Sequence, residues 1–245
     1  MREHFMSTTN LEGRNVVLEG LKRGRKIFEV VIDEGAKGDK IDDVVKEAKR
    51  LGIPVTHLRR ERLDSIAKTD SHQGVIAKAQ TLPTYSVASI LKEEKNPFFV
   101  VVKDVLYEHN LGAILRSAAA CGVHAVVVSG GKGNTLTPVV ERVSMGGSNV
   151  VKVCEESILS ALAALKRAGV KIVGVELTGE KNYFEEDLTG PVALVLGGED
   201  SGLTLPIIDK CDIVVRVPMQ NDMQSLNLSV TAGVLMYEKV RQESL

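Results

Sequence analysis

Three short polar segments hold the residue types that chemistry needs, and each sits beside an apolar run. The first, Asn110-Leu111-Gly112, opens a helical pattern that sets Arg116 among small and apolar residues. A guanidinium placed that way is a planar fork for a phosphate or carboxylate. The second begins where the buried-type strand Leu194-Val195-Leu196 stops at Gly197-Gly198, with Glu199, Asp200 and Gly202 following. Glycines let a backbone approach a ligand closely and take unusual dihedrals, and Glu199 is placed to orient Arg116 or Asn110. The third runs from the β-type stretch at Val215 through a polar loop to Ser225-Leu226-Asn227 and a helix. Ser225 can cap that helix, leaving its first amides to a ligand, and Asn227 adds an amide side chain in the same turn. His109, in a loop beside Asn110, is a residue type that can serve as a base but stands alone. The acid pair Glu199-Asp200 has no histidine near it, so no metal site is expected.

These segments need a scaffold that brings strand ends together. Apolar runs at Phe98–Val102, Ala125–Val128, Lys171–Val175, Val192–Leu196 and Ile213–Val217 alternate with helical patterns, notably Ser157–Arg167 and Leu226–Val240. Such alternation predicts an α/β fold with a parallel sheet covered by helices, whose ligands gather at the carboxyl edge of the strands. Two common nucleotide loops are excluded. Gly131-Lys132-Gly133-Asn134-Thr135-Leu136 starts like a dinucleotide loop but lacks the third glycine, and no GxxxxGK[ST] occurs.

The first eighty residues read as a small α/β domain. A helix over Asn15–Arg23 precedes a strand at Ile27–Ile32; a helix capped by Asp39 runs to Leu51; Pro54–His57 and Val75–Ala79 are further strands. Around Pro83 and Lys92-Glu93-Glu94-Lys95-Asn96-Pro97 the pattern loosens. The expected organisation is therefore a domain at 1–80, a linker at 81–96 and a second domain at 97–245.

Composition narrows the class. The 245 residues are 44% hydrophobic, enough for packed cores. Cys121, Cys154 and Cys211 lie far apart without a CxxC pair, which suits a reducing cytoplasm and disfavours disulfide or metal use. No apolar run has membrane-span length and Met1–Met6 lacks a signal-peptide core, so a soluble cytoplasmic protein is expected. Net charge is -1, yet residues 1–80 carry 16 basic against 13 acidic side chains. That imbalance nominates the clusters Lys22, Arg23, Arg25, Lys26 and Arg59, Arg60, Arg62 as phosphate-facing, with solvated helix ends as the competing reading.

The three polar segments, in this order, resemble the motifs of the SpoU/TrmH family of RNA ribose 2'-O-methyltransferases, within the SPOUT superfamily. The resemblance runs from about Phe98 to the C-terminus. The layout is most similar to the subgroup that methylates a guanosine ribose in large-subunit ribosomal RNA. The N-terminal part resembles the L30e-like RNA-binding domain that precedes the catalytic one, with Ser71-His72-Gln73-Gly74-Val75 similar to its closing segment. The resemblance implies a C-terminal α/β-knot, a deep trefoil knot holding S-adenosylmethionine in a bent shape. It implies cofactor contacts at Gly197, Gly198, Val217, Met219, Ser225 and Leu226, catalytic roles for Asn110, Arg116, Glu199, Ser225 and Asn227, and a homodimer formed through the catalytic domain. The family assigns Arg116 as base, but a guanidinium has a pKa above roughly 12. A phosphate clamp that steadies the developing alkoxide fits its chemistry better. Asn221 stands where the family usually has glycine, a substitution that left-handed backbone tolerates. Transfer RNA is the alternative substrate, and a non-catalytic RNA-binding or ribosome-assembly protein is the alternative class.

Overall fold

The structure is a computed structural model and describes residues 8–129, 135–198 and 201–244. The loop at Gly131–Asn134 and the residues Glu199 and Asp200 lie outside them. The chain divides into two compact units, one of residues 1–83 with 136–149, the other of residues 84–135 with 150–245.

Unit 1 begins with β1 (Thr8–Glu12), α1 (Arg14–Lys22), β2 (Ile27–Asp33), α2 (Asp39–Arg50), β3 (Val55–Leu58), α3 (Arg60–Ile66) and β4 (Val75–Gln80). Its sheet has the order β1-β4-β2-β3, with β4 antiparallel to both neighbours and β2 parallel to β3. The apolar face of α1 (Val16, Val17, Leu21) packs with Leu11, Val30, Ile32, Val44 and Val75 into one core. Strand β1 and helix α3 escape a periodicity reading, because four of the five residues in TTNLE are polar and RERLDSI buries only Leu63. Asp39 does not cap α2: the N-cap is Gly38, at φ 116, and Asp39 lies in the first turn, where its charge still complements the helix dipole. The segment Ser71–Val75 turns through a positive φ at Gln73 and buries His72, whose Nε2 meets Asp64 at 2.7 Å.

Unit 2 opens with α4 (Val87–Glu93), β5 (Phe98–Val102), α5 (Glu108–Ala120) and β6 (Ala125–Ser129); α6 (Pro138–Val143) follows but belongs to unit 1. Then come β7 (Lys152–Glu156), α7 (Ile158–Arg167), β8 (Lys171–Val175), β9 (Lys181–Asn182), β10 (Val192–Leu196), α8 (Leu205–Ile208), β11 (Ile213–Arg216) and α9 (Leu228–Glu243). All seven strands are parallel, in the order β7-β6-β5-β10-β8-β11-β9. Their uniformly buried runs, FFVVV and VALVL for example, are what a sheet covered on both faces requires. Residues 84–96 are not a loose linker: Tyr85 bridges to Cys154, and α4 buries Val87 and Ile90 in the core of unit 2. All three cysteines are free, and burial pushes the Cys154 thiol up to about 12 and Cys211 up to about 11.

Candidate active site

The carboxyl ends of three adjacent strands, β10, β8 and β11, open into a cavity of about 260 Å³. Its wall is made by Val175 at the end of β8 with Glu176 and Leu177 after it, Gly197 and Gly198 after β10, and Val217 and Met219 after β11, closed by Gln224, Ser225, Leu226, Leu228 and Thr231. All six residues expected to hold the cofactor, Gly197, Gly198, Val217, Met219, Ser225 and Leu226, line this one space.

The glycines are there for close approach. A Cβ on Gly197 would stand 2.6 Å from the Cα and carbonyl carbon of Gly202, a separation real side chains do not tolerate. Gly198 pairs with Gly202 in an antiparallel bridge and has the Lys103 carbonyl 3.1 Å from where its own Cβ would lie. Gly202 takes φ +56 against the Glu176 carboxylate. Gly197, Gly198 and Gly202 together present bare backbone to the cavity. Beyond β11, Asn221 sits at φ 55 and Asp222 at φ 56, so the loop keeps the left-handed bend expected at Asn221.

The polar residues sort less simply. The cap of α9 is Asn227, not Ser225: its Oδ1 accepts from the Ser229 N–H at 2.9 Å and the Ser229 hydroxyl at 2.6 Å. Its Nδ2 donates to Asn110 Oδ1 at 3.1 Å, which ties the third polar segment to the first. Ser225 is exposed at the cavity rim with its hydroxyl outside the cap. Helix α5 starts at Glu108, so Asn110 lies in its first turn and His109 is an exposed helical residue rather than part of a loop. Arg116 is exposed six residues further along α5, about 9 Å down the axis, and does not line the cavity. It has no ion-pair partner among the described residues. Glu199, between Gly198 and Gly202, lies outside the described residues. Among those described, no cluster of three His, Cys, Asp or Glu side chains could hold a metal.

Sequence reasoning missed two features. Glu176 enters the wall as a lone acid in no polar segment singled out above, and Gly179 allows the 177–180 turn to press on Val215, whose carbonyl carbon would be 2.3 Å from a Cβ there.

The basic clusters of unit 1 divide as well. Arg25 is a correction: its side chain is 5% exposed and is locked to Glu141, with Nη1–Oε2 at 2.7 Å. Arg23 pairs with Glu19, and Arg60 with Asp64 and Asp33. Lys22, Arg59 and Arg62 are exposed without an ion-pair partner among the described residues.

Residues 97–237 match the model of the SpoU rRNA Methylase family, and residues 11–85 match that for RNA 2'-O ribose methyltransferase substrate binding. The chain belongs to the SpoU rRNA methylase family. A 23S rRNA (guanosine-2'-O-)-methyltransferase RlmB of Vibrio cholerae is 34% identical over 242 residues, covering 97% of this chain and 98% of that one. The RlmB of Ralstonia nicotianae is 35% identical, covering 90% of each. Among solved structures, an RNA 2'-O ribose methyltransferase superimposes with a TM-score of 0.85 at 28% identity over all of this chain and 93% of its own. The SpoU methyltransferase AviRb from Streptomyces viridochromogenes, solved in complex with the cofactor AdoMet, shares the fold at a TM-score of 0.80 and 22% identity, over 97% of this chain and 91% of its own.

Proposed function

We propose that this SpoU member moves a methyl group from S-adenosylmethionine to the 2'-oxygen of a guanosine ribose in large-subunit ribosomal RNA. The observation that carries the reading is the cavity: one space collects every residue expected at the cofactor, and the Asn227–Asn110 hydrogen bond fastens the remaining polar segment to its rim. The RlmB relatives, alike over nearly the whole chain, supply the ribosomal address. When bound, S-adenosylmethionine supplies an electrophilic methyl on a sulfonium. The bare backbone of Gly197, Gly198 and Gly202 and the wall of Val217, Met219 and Leu226 hold its adenosine and methionine parts. Asn110 and Asn227 fix the entry of α9, Ser225 donates to the nucleotide, and Glu199 orients Asn110 or Arg116. Arg116 clamps an RNA phosphate and steadies the developing alkoxide, while that phosphate or water takes the hydroxyl proton. In this reading the last strands and helix form the trefoil knot.

Unit 1 docks the RNA, and the cations assigned to that contact include Lys22, Arg59 and Arg62, together with Arg14 and Lys40. These two line a hollow with Asn15 and Gln73, and no carboxylate pairs with either among the described residues. Unit 2 forms a homodimer, since Leu106, Tyr107, Met223, Val230 and Tyr237 are exposed around the packed α5 and α9. No described helix is long and apolar enough to cross a membrane.

The test is methyl transfer from labelled S-adenosylmethionine to protein-free 23S rRNA and to bulk tRNA, with the product nucleotide mapped. Label on a single 23S guanosine ribose is expected. Label on tRNA alone moves the substrate, and no label with either RNA leaves the RNA-binding alternative.

A further inference from the structure

Among the described residues that line the cavity, Glu176 is the one ionisable side chain; the others are aliphatic, glycine, amide, hydroxyl or thioether. It is held from several directions. Its N–H donates to the Val215 carbonyl at 3.0 Å, and its own carbonyl accepts from the Gly179 N–H at 3.0 Å. Its Oε1 accepts from the Leu203 N–H. The carboxylate rests on Gly202, where a Cβ would fall 2.7 Å from Oε1 and 3.1 Å from Oε2. That seat fixes the side chain against Gly202 and Leu203. No cationic side chain pairs with it among the described residues. A fixed negative charge in a cavity whose other described lining residues are neutral acts on whatever enters, because partial burial lowers the screening.

We propose that Glu176 is a specificity-determining residue that makes this cavity prefer a sulfonium cofactor over the neutral thioether left after transfer. The inference rests on the cavity being the S-adenosylmethionine pocket. In the reaction the carbon–sulfur bond breaks with its electron pair staying on sulfur, a carbon–oxygen bond forms at the ribose, and the hydroxyl proton departs. The ligand therefore loses one positive charge at sulfur, while its ammonium, carboxylate and ribose hydroxyls are unchanged. A nearby fixed carboxylate attracts the first ligand and not the second through that position, which favours loading and lets product go.

Glu176→Gln removes the charge and keeps an acceptor for the Leu203 amide. Calorimetry of S-adenosylmethionine and S-adenosylhomocysteine on both proteins reads the effect. The variant should bind S-adenosylmethionine about tenfold more weakly, the scale of one charge pair several ångströms apart at intermediate screening, and S-adenosylhomocysteine within twofold of wild type. Equal weakening of both ligands would mean that Glu176 touches a shared group, and no weakening of either would mean that it faces away; each overturns the inference. If wild type binds neither ligand, it is the cofactor reading that falls. If Glu176→Gln does not fold, wild type decides the matter with an analogue bearing a tertiary amine in place of the sulfonium. Its affinity should drop about tenfold as the amine loses its proton, and a flat profile rejects the charge role.

Discussion

Arg25 offers the sharpest test of the division between structural and RNA-facing cations. In unit 1 its guanidinium donates twice to the Gln80 carbonyl (Nε at 3.0 Å, Nη2 at 2.9 Å), twice to Glu141 (2.7 and 3.2 Å) and once to Asn149 (3.2 Å). The Glu141 side chain is 1% exposed. Burial pushes its carboxyl up and the guanidinium pulls it back, so the pair is stable only while both members are present. Arg25→Met leaves a buried carboxylate without its cation and should cost about 3–5 kcal/mol. In a unit of roughly 100 residues each kcal/mol moves the midpoint by about 4–8 °C, so the transition of unit 1 should fall by about 12 °C or more. Arg25→Met combined with Glu141→Leu replaces the pair with apolar volume and should recover at least half of the loss. The assay is thermal unfolding of the two single variants, the double and wild type, with RNA affinity measured at several salt concentrations below the transitions. A variant that melts like wild type but loses about 0.7 to 0.9 units of salt slope would refute the reasoning, because that slope is the mark of a phosphate contact.

Arg116→Ala should abolish methyl transfer while leaving the S-adenosylmethionine dissociation constant within twofold, because Arg116 lies outside the cavity; lost binding in calorimetry would contradict that placement. Gly197→Ala should do the reverse, cutting cofactor affinity at least a hundredfold by driving a methyl group into the Gly202 backbone, and equilibrium dialysis on the folded variant reads it. Asn227→Ala removes both the α9 cap and the bond to Asn110, and should lower stability by about 1 kcal/mol in denaturant titration together with a fall in kcat. Hydrogen bonding to Lys171, then to Lys181, holds the Glu186 carboxyl below its usual range. Its share of stability is thus present above the ordinary glutamate range and lost as pH falls through the lowered native value, so the advantage of wild type over Glu186→Gln should shrink below about pH 4 in acid titration.

The sheet of unit 2 could be read from sequence because buried parallel strands are continuous apolar runs: Lys171–Val175 and Val192–Leu196 fall where the residues place them. The cavity wall was legible for a different reason: three polar segments beside strand ends, in this order, resemble the motifs of a known family, and the six residues that resemblance names line one space. What escaped was decided by distance in space. Ser225 and Asn227 are equally good caps by residue type, and only the start of α9 at Leu228 chooses between them. Arg25 is indistinguishable from Lys22 in a basic run until Glu141, 116 residues later, takes it out of solvent. Glu176 carries no motif at all; it matters because Gly202 left room for its carboxylate.

The return of residues 136–149 to unit 1 sets an order of events during synthesis. When Pro83 leaves the ribosome, Arg25 can reach the Gln80 carbonyl but must wait for Glu141 and Asn149, and by then β5, α5 and β6 have been translated. Unit 1 is therefore finished only after unit 2 has begun. A gene fragment cut at residue 83 would encode a unit 1 whose Arg25 keeps the Gln80 carbonyl but lacks the carboxylate and the amide that hold it in the whole chain.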